Sequence, residues 1–462
     1  MRKISGVILL LLLLINAHAQ TILQGQFGVN RLIIEGDIFT GMENTVKLKI
    51  PEQVVDIEVK MLTDKDSISF VQPDYCISFK GKIDKQAKTI SGSFSFFNKV
   101  HELLLKKVGK IKPLYFSQNP VKPFPYIEKE LKYKGKKTKL SYGATLTLPK
   151  TKGKFPAVIL ISGTGQQDRN ASYSGHKFFA VIADYLTRNG IAVLRVDDRG
   201  IGQTNGDFSV STTRDFADDM LESIRFLKTQ KGIDKNHIGL IGHSEGGAIA
   251  SMVTSESKDI AFMISLSGVG VSGLEILKLQ NWNLLKSYGL QANVQENYMN
   301  LYSTLFNTVF NTPENLNIKP ILEQEFNQWL AKQDTLTLQE MHMVDGRGKM
   351  FLYRYIEKAK TNWYRYMIHY KPEDYLQKIK VPVLAINGEK DIMVPAEENI
   401  KSIEKCLDLG GNKNYRTKIF PGLNHMCQHC NTCVSNEIPL LDEVCAPEVL
   451  VYMVNWIKTI TN

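Results

Sequence analysis

The chain has 462 residues, 43% of them hydrophobic and 23% charged, and its 57 Lys and Arg exceed its 47 Asp and Glu by ten. That length admits two or three domains of about 150 residues each. The composition excludes a disordered chain, a coiled coil and an integral membrane protein.

The first segment reads as a secretory signal peptide. Met1-Arg2-Lys3 is basic, Val7 to Ile15 is apolar, and Ala17-His18-Ala19 is a small-x-small cleavage pattern before Gln20. It is too short and wrongly flanked for a membrane span. Cleavage after Ala19 leaves a secreted or periplasmic chain, and with Arg2 and Lys3 gone the charge is 10 − 2 = +8. No cysteine follows the apolar run, so lipoprotein anchoring is not indicated, and no later stretch offers about 18 uninterrupted apolar residues. The remaining positive charge lacks the groove-reading or aromatic motifs of a nucleic-acid binder, so it reads as a solvated surface.

Residues 20–108 alternate β-branched or aromatic residues with polar ones in short runs, such as Arg31 to Glu35, Thr45 to Ile50, Ser67 to Val71, Tyr75 to Phe79 and Ile90 to Phe94. This period of two predicts a small antiparallel sandwich or barrel. Residues 109–127 carry Pro113, Pro120, Pro123 and Pro125 and read as a stiff linker. Residues 128–462 form the second unit. Glu128 to Pro149 reads as a hairpin, and from Phe155 strands alternate with helices. Ala157 to Ile161 is continuously apolar, as a strand buried on both faces requires. Ile191 to Val196, Ile238 to Ile241, Ile260 to Ser267, Val381 to Ile386 and Arg416 to Phe420 continue the strands. Helices are predicted over His176 to Arg188, Ser211 to Gln230 and Pro447 to Ile460. The alternation predicts a doubly wound, mainly parallel sheet. Residues 272–372 interrupt it with helical spacing and Trp282, Trp329 and Trp363, which predicts an inserted helical cap.

Gly242-His243-Ser244-Glu245-Gly246 lies between an apolar strand and a helix. In a G-x-S-x-G turn the flanking residues are small because the bend is too sharp for side chains, and the hydroxyl is pushed out above the sheet. A serine nucleophile needs a histidine base and an orienting carboxylate. Asp391 and His425 follow in the order Ser, Asp, His, each just beyond a predicted strand end, where chemistry gathers in open α/β sheets. Glu389 and His429 are the competitors for these two roles, and His243 is expected to pack beneath the turn. The expected oxyanion donors are the backbone N–H groups of Glu245 and of Thr164, with Gly165 next in line, in the loop Ser162 to Arg169. Asp197-Asp198-Arg199-Gly200 reads as a structural turn held by an Arg–carboxylate pair.

At these residues the chain resembles the α/β-hydrolase superfamily, and more closely secreted esterases of the EstD type and serine aminopeptidase-like hydrolases. The resemblance rests on Ser162 to Arg169, Asp197 to Gly202, Gly242 to Gly247, Gly388 to Asp391 and Gly422 to His425, and spans about residues 128–462. Gln166-Gln167 departs from it, standing where the family commonly has Pro-Gln. It implies a carboxylic-ester hydrolase with Ser244, Asp391 and His425 as its triad and an N-terminal β domain of its own.

Cys427, Cys430, Cys433 and Cys445 crowd one segment just after His425. The signal peptide favours disulfides there over a metal site, with three pairings open. Cys76 and Cys406 read as buried apolar residues.

Together these readings predict a secreted serine hydrolase acting on a small-molecule ester, with no cofactor, metal or nucleic-acid partner. An aminopeptidase would need cap carboxylates such as Glu323, Glu325 and Glu340 to hold a free amine. A glycan- or lipid-binding protein with an inert hydrolase unit is the rival of another class.

Overall fold

The computed structural model describes residues 21–27, 30–36, 38, 43–50, 55–72, 77–96, 99–109, 116–344, 346–434 and 437–461. The segment read as a signal peptide and Cys76 lie outside the described residues, as do residues 110–115 of the proline-rich stretch. The chain divides into two units, with the boundary between Leu114 and Tyr115.

The first unit is a closed barrel of strands in sequence order. They are β1 (Thr21–Phe27), β2 (Asn30–Gly36), β3 (Glu43–Ile50), β4 (Val55–Asp64), β5 (Ser67–Gln72), β6 (Ile77–Asp84), β7 (Thr89–Phe96) and β8 (Lys99–Lys107). Strand β6 shows why it curls: Ile77, Phe79 and Ile83 point inward while Lys80, Lys82 and Asp84 are exposed. Pairing of Leu23 with Lys107 joins β1 to β8 and removes both sheet edges. Leu32, Val46, Phe70, Phe79 and Phe94 lie in one buried cluster inside it. Side chains of that size fill the bore of a barrel of this strand number.

The second unit is built on an eight-stranded sheet. Its strands are β9 (Ile127–Lys134), β10 (Ser141–Leu148), β11 (Phe155–Ile161), β14 (Ala192–Val196), β15 (Ile233–His243), β16 (Phe262–Leu266), β17 (Val383–Gly388) and β18 (Tyr415–Phe420). A two-stranded ribbon, β12 (Ser172–Tyr173) with β13 (His176–Lys177), precedes helix α1 (Phe178–Arg188). The order across the sheet is β18-β17-β16-β15-β11-β14-β10-β9. The pairs from β18 to β14 are parallel, and β10 and β9 close one edge antiparallel. Every residue of β14, β16 and β17 is buried, the pattern of strands covered on both faces.

One face is covered by helices α2 (Thr213–Leu227), α3 (Glu245–Glu256) and α11 (Ala396–Leu409). Ala157, Ile159 and Ile161 of β11 share a cluster there with Ile224, Met252 and Ile403. The start of α2 is fixed by a capping box, in which the Thr212 side chain and the Asp215 side chain each bond the other's backbone N–H. Opposite, α12 (Pro447–Thr461) sets Trp456 edge-on to Phe262.

Between β16 and β17 run α4 (Gly273–Ser287), α5 (Ala292–Asn311), α6 (Ile318–Leu330), α7 (Thr335–Glu340), α8 (Arg347–Ala359), α9 (Asn362–Ile368) and α10 (Glu373–Leu376). Leu301, Leu305, Phe306, Phe326, Trp329 and Ile356 give this insert a core of its own. Among the described residues no helix is long and apolar enough to cross a membrane.

The proline-rich stretch differs from its reading as a linker through residue 127. Phe116 is buried against the His176 ring at 3.7 Å. Gln118 accepts from the Cys445 amide at 3.0 Å and donates to its carbonyl at 2.8 Å. Apolar burial and satisfied backbone groups therefore bind residues 116–127 into the second unit.

At the antiparallel edge, the turn between β9 and β10 is tied to α2 by Glu222. Its carboxylate accepts from the Lys136 and Lys137 amides at 2.9 and 2.6 Å and pairs with Arg225 at 2.7 Å. Burial alone would raise its pKa, but these bonds win and bring it from 4.5 down to about 2. A depressed carboxyl adds stability that is complete above pH 4.5 and is lost as pH falls toward 2. Glu222→Gln is expected to cost about 2 kcal/mol at neutral pH, with the gap from wild type shrinking as pH drops below 4.5 in urea unfolding curves. A gap that stays constant into the acid range would contradict this role.

Candidate active site

The strand ends on one edge of the sheet deliver the reactive groups. Ser244 follows β15 and precedes α3 with φ 57° and ψ −123°, a left-handed conformation that is costly for a residue with a Cβ. It is held by its N–H bonding Leu266 O at 3.1 Å and its carbonyl accepting from the Gly247 and Val269 amides at 2.9 and 3.1 Å. Neither Gly242 nor Gly246 has room for a side chain. A Cβ on Gly242 would lie 2.0 Å from Gly246 O, and one on Gly246 would lie 2.3 Å from Ile161 O. Gly163 meets the serine from the neighbouring loop, where an added Cβ would be 2.8 Å from the Ser244 Cβ.

Asp391 sits in the loop after β17, fully enclosed. Its Oδ1 accepts from the Met393 and Val394 amides at 2.9 and 2.8 Å, and its Oδ2 faces His425 Nδ1 at 2.8 Å. Since a carboxylate only accepts, His425 Nδ1 carries the proton and Nε2 is left as the acceptor. Asn424 shapes the turn after β18 that carries His425, accepting from the Met426 and Gln428 amides at 2.9 and 3.0 Å. His243 is buried below, donating from Nε2 to the His425 carbonyl at 3.0 Å, with the two rings 4.8 Å apart. Burial, reinforced by His425, pushes the His243 pKa down to about 3. His243 is thus a neutral prop that ties the histidine turn to the residue before Ser244.

The competing residues are engaged elsewhere. Glu389 accepts from the Gly422 amide at 2.9 Å. His429 is exposed and pairs with Glu443 and Glu448 at 3.0 and 3.2 Å.

The loop after β11 is anchored by two carboxyl groups. Asp198 accepts from Ser162 Oγ and the Gln167 amide at 2.7 and 2.8 Å, and burial pushes its carboxyl up to about 7. Glu245 accepts from Thr164 Oγ1 at 2.8 Å. Among the described residues neither the Thr164 nor the Glu245 amide is taken up by a hydrogen bond. The Asp197–Arg199 segment, read as a structural turn held by an Arg–carboxylate pair, is held by several such pairs, with partners outside the turn. Asp197 pairs with Arg169 at 2.6 Å, and Arg199 reaches Asp219 and Asp215 on α2 at 2.6 and 3.2 Å. The Glu245 side chain, to which sequence reasoning gave no use, is bonded into this site. Its position directly after the nucleophile candidate was the available signal.

Of the clustered cysteines, Cys430 and Cys433 have sulfurs 2.18 Å apart, while Cys427 and Cys445 are buried free thiols. Burial pushes Cys427 up to about 12, which keeps it protonated and unreactive. Among the described residues no group of three or more His, Cys, Asp or Glu is placed to hold a metal ion. The cap carboxylates have different surroundings: Glu323 lies 3.9 Å from Lys319, Glu340 accepts from Asn293 at 3.1 Å, and Glu325 lines a surface cavity with Asn300 and Trp329.

The sequence profile of the family described as serine aminopeptidase, S33, matches residues 171–343, which include the elbow and most of the helical insert. Esterase EstD of Thermotoga maritima is 24% identical over 331 residues, covering 70% of this chain and 67% of the relative. An esterase of Pyrococcus furiosus is 15% identical with a TM-score of 0.45, covering 77% of this chain and 99% of that one. Est1E from Butyrivibrio proteoclasticus, solved with ferulic acid bound, is 19% identical with a TM-score of 0.40, covering 71% and 96%. The strand order, the elbow between β15 and α3, the partial family match and the Thermotoga relative converge on one assignment: the chain has the α/β-hydrolase fold and is a hydrolase.

Proposed function

We propose that the protein is a serine esterase that cleaves small carboxylic esters through an acyl-enzyme, with Ser244, Asp391 and His425 as its triad. The observation that carries this is the 2.8 Å contact between the enclosed Asp391 carboxylate and His425 Nδ1, on a turn that His243 ties to the strained Ser244 elbow at 3.0 Å. In this reading His425 Nε2 takes the Ser244 proton as Oγ attacks the ester carbonyl. The tetrahedral oxyanion forms hydrogen bonds with the Thr164 and Glu245 amides, a donor pair whose members are worth on the order of 3 kcal/mol each. Collapse expels the alcohol, protonated by His425. Water, deprotonated by the same imidazole, then releases the acid. The esterase name of the Thermotoga relative supports an ester over a peptide substrate, and two of the three cap carboxylates already have partners, Glu323 in Lys319 and Glu340 in Asn293. The signal-like segment supports a secreted or periplasmic location, with a disulfide between Cys430 and Cys433.

A fluorophosphonate probe is expected to label the wild-type protein once, at Ser244, and Ser244→Ala is expected to lose both labelling and hydrolysis of p-nitrophenyl acetate. Labelling that persists in the variant would place the nucleophile elsewhere. An aminoacyl-arylamide cleaved faster than the ester would favour the aminopeptidase instead. Wild type inert to both would leave the barrel unit as the candidate for a binding role.

Asp391→Asn tests the orienting role separately. The side-chain oxygen is retained by the Met393 and Val394 amides, so the new NH₂ faces His425 Nδ1. Two donors cannot share that contact, and the imidazole adopts the other tautomer. We expect kcat to drop on the order of 10⁴-fold with the thermal midpoint little changed. Activity close to wild type would show that Asp391 does not orient the base.

A further inference from the structure

Glu245 stands directly after Ser244, and its side chain turns back into the protein at 2% exposure. Three donors from three separate segments meet its carboxyl group. Thr164 Oγ1, from the loop after β11, donates to Oε2 at 2.8 Å. Thr213 Oγ1, from the first turn of α2, donates to Oε1 at 2.7 Å, and Trp363 Nε1, from α9 of the cap, donates to the same oxygen at 2.8 Å. No cation is paired with it among the described residues, and burial pushes its carboxyl pKa up against these bonds. A buried carboxyl group without a counter-ion is costly, and the cost is offset here only by the donors themselves. The arrangement therefore persists only while all three segments are in place.

We propose that the Glu245 side chain is a positioning residue for the oxyanion hole, holding Thr164 at a set distance from Glu245's own backbone N–H and making that distance depend on how cap helix α9 is seated. This inference rests on the reading of Ser244 as nucleophile and of the Thr164 and Glu245 amides as oxyanion donors. Glu245 would join both donors, one by its amide and one by its carboxyl. The flank of the loop beyond Thr164 is held independently, by Asp198 through the Gln167 amide at 2.8 Å. Without the Glu245 contact, Thr164 lies on an exposed loop whose nearest other ties are a long bond from Gln167 Nε2 to its carbonyl, at 3.4 Å, and the bond from Gln166 Nε2 to Arg199 O at 2.6 Å. Trp363 carries the coupling, because it is the cap's donor to the shared oxygen. A cap displaced by a poorly fitting substrate would loosen the Thr164 contact, whereas one seated by a good substrate would tighten it. The geometry thus links substrate fit to transition-state stabilisation rather than to ground-state binding.

The test is steady-state kinetics on p-nitrophenyl acetate for Glu245→Ala, Glu245→Gln, Trp363→Phe and the double variant Glu245→Ala/Trp363→Phe, each with its thermal midpoint. Loss of one well-placed oxyanion donor costs about 10²- to 10³-fold in kcat, so a misplaced one should cost about 10- to 100-fold in Glu245→Ala, with KM within about threefold of wild type. Glutamine can accept from Thr213 and Trp363 with its oxygen and donate to Thr164 Oγ1, so Glu245→Gln should recover most of the loss. Trp363→Phe keeps a ring in the cap and removes only the donor; it should lower kcat about fivefold alone and less than about twofold in the Glu245→Ala background. This single variant also carries the test if Glu245→Ala does not fold. The proposal is overturned by kcat within about twofold of wild type in Trp363→Phe and in folded Glu245→Ala. It is overturned equally if the Trp363→Phe factor is the same in both backgrounds, or if Glu245→Gln is as impaired as Glu245→Ala at an unchanged midpoint. Ser244→Ala separates the two levels. Turnover that survives it removes the underlying reading, whereas an inert Ser244→Ala beside normal Glu245 and Trp363 variants removes this inference alone.

Discussion

Ser244 is held in a conformation that an isolated chain would leave, and the rest of the hydrolase unit can be understood as what holds it there. A non-glycine residue at φ 57° carries a cost of about 1–3 kcal/mol. The elbow persists because its backbone groups bond across three elements, from β16 to the first turn of α3 and the segment after β16. The glycines at 242 and 246 let α3 come within contact of β11 and β15, closer than any side chain would permit. The buried parallel strands on either side supply the rigidity. In return the hydroxyl is presented at the N-terminus of a helix, beside amides that have no intrahelical partner.

Asp391 and His425 are held by a different device, the saturation of short polar turns. Asp391 is not held by a cation: two amides of its own loop occupy one oxygen, leaving the other for His425. Asn424 does the same for the histidine turn, and His243 ties that turn to the elbow as a neutral donor. Beyond it, Glu437 accepts from the Asn431, Thr432 and Cys433 amides and so shapes the loop in which Cys430 and Cys433 meet. Buried polar groups in these turns are bonded in more than one direction, so the geometry is specified without relying on exposed ion pairs.

What could be read from the sequence was whatever depends on local pattern. The strands of the sheet are apolar runs such as Ala157 to Ile161, and the elbow is legible because the strand, the small residues and the helix follow one another directly. Asp391 and His425 were legible because a strand end is a position in the chain as well as in space. The remainder depends on contacts between distant residues. The partners of Glu245 are 81, 32 and 118 residues away, so nothing in its neighbourhood announces them. Whether the first unit is a sandwich or a barrel turns on the pairing of β1 with β8, which alternation alone does not encode. The proline-rich stretch misled for the opposite reason: its composition resembles a spacer, and only the stacking of Phe116 on His176 reveals where it packs.

In the proposed mechanism acyl transfer occurs at Ser244, with the developing oxyanion directed at two particular amides. A crystal structure of the protein inactivated by a small p-nitrophenyl phosphonate tests it most directly. Phosphorus is expected to be bonded to Ser244 Oγ, with its free oxygen roughly 2.7–3.1 Å from both the Thr164 and Glu245 nitrogens. Phosphorus on any other residue, or an oxygen turned away from those two amides, would contradict it.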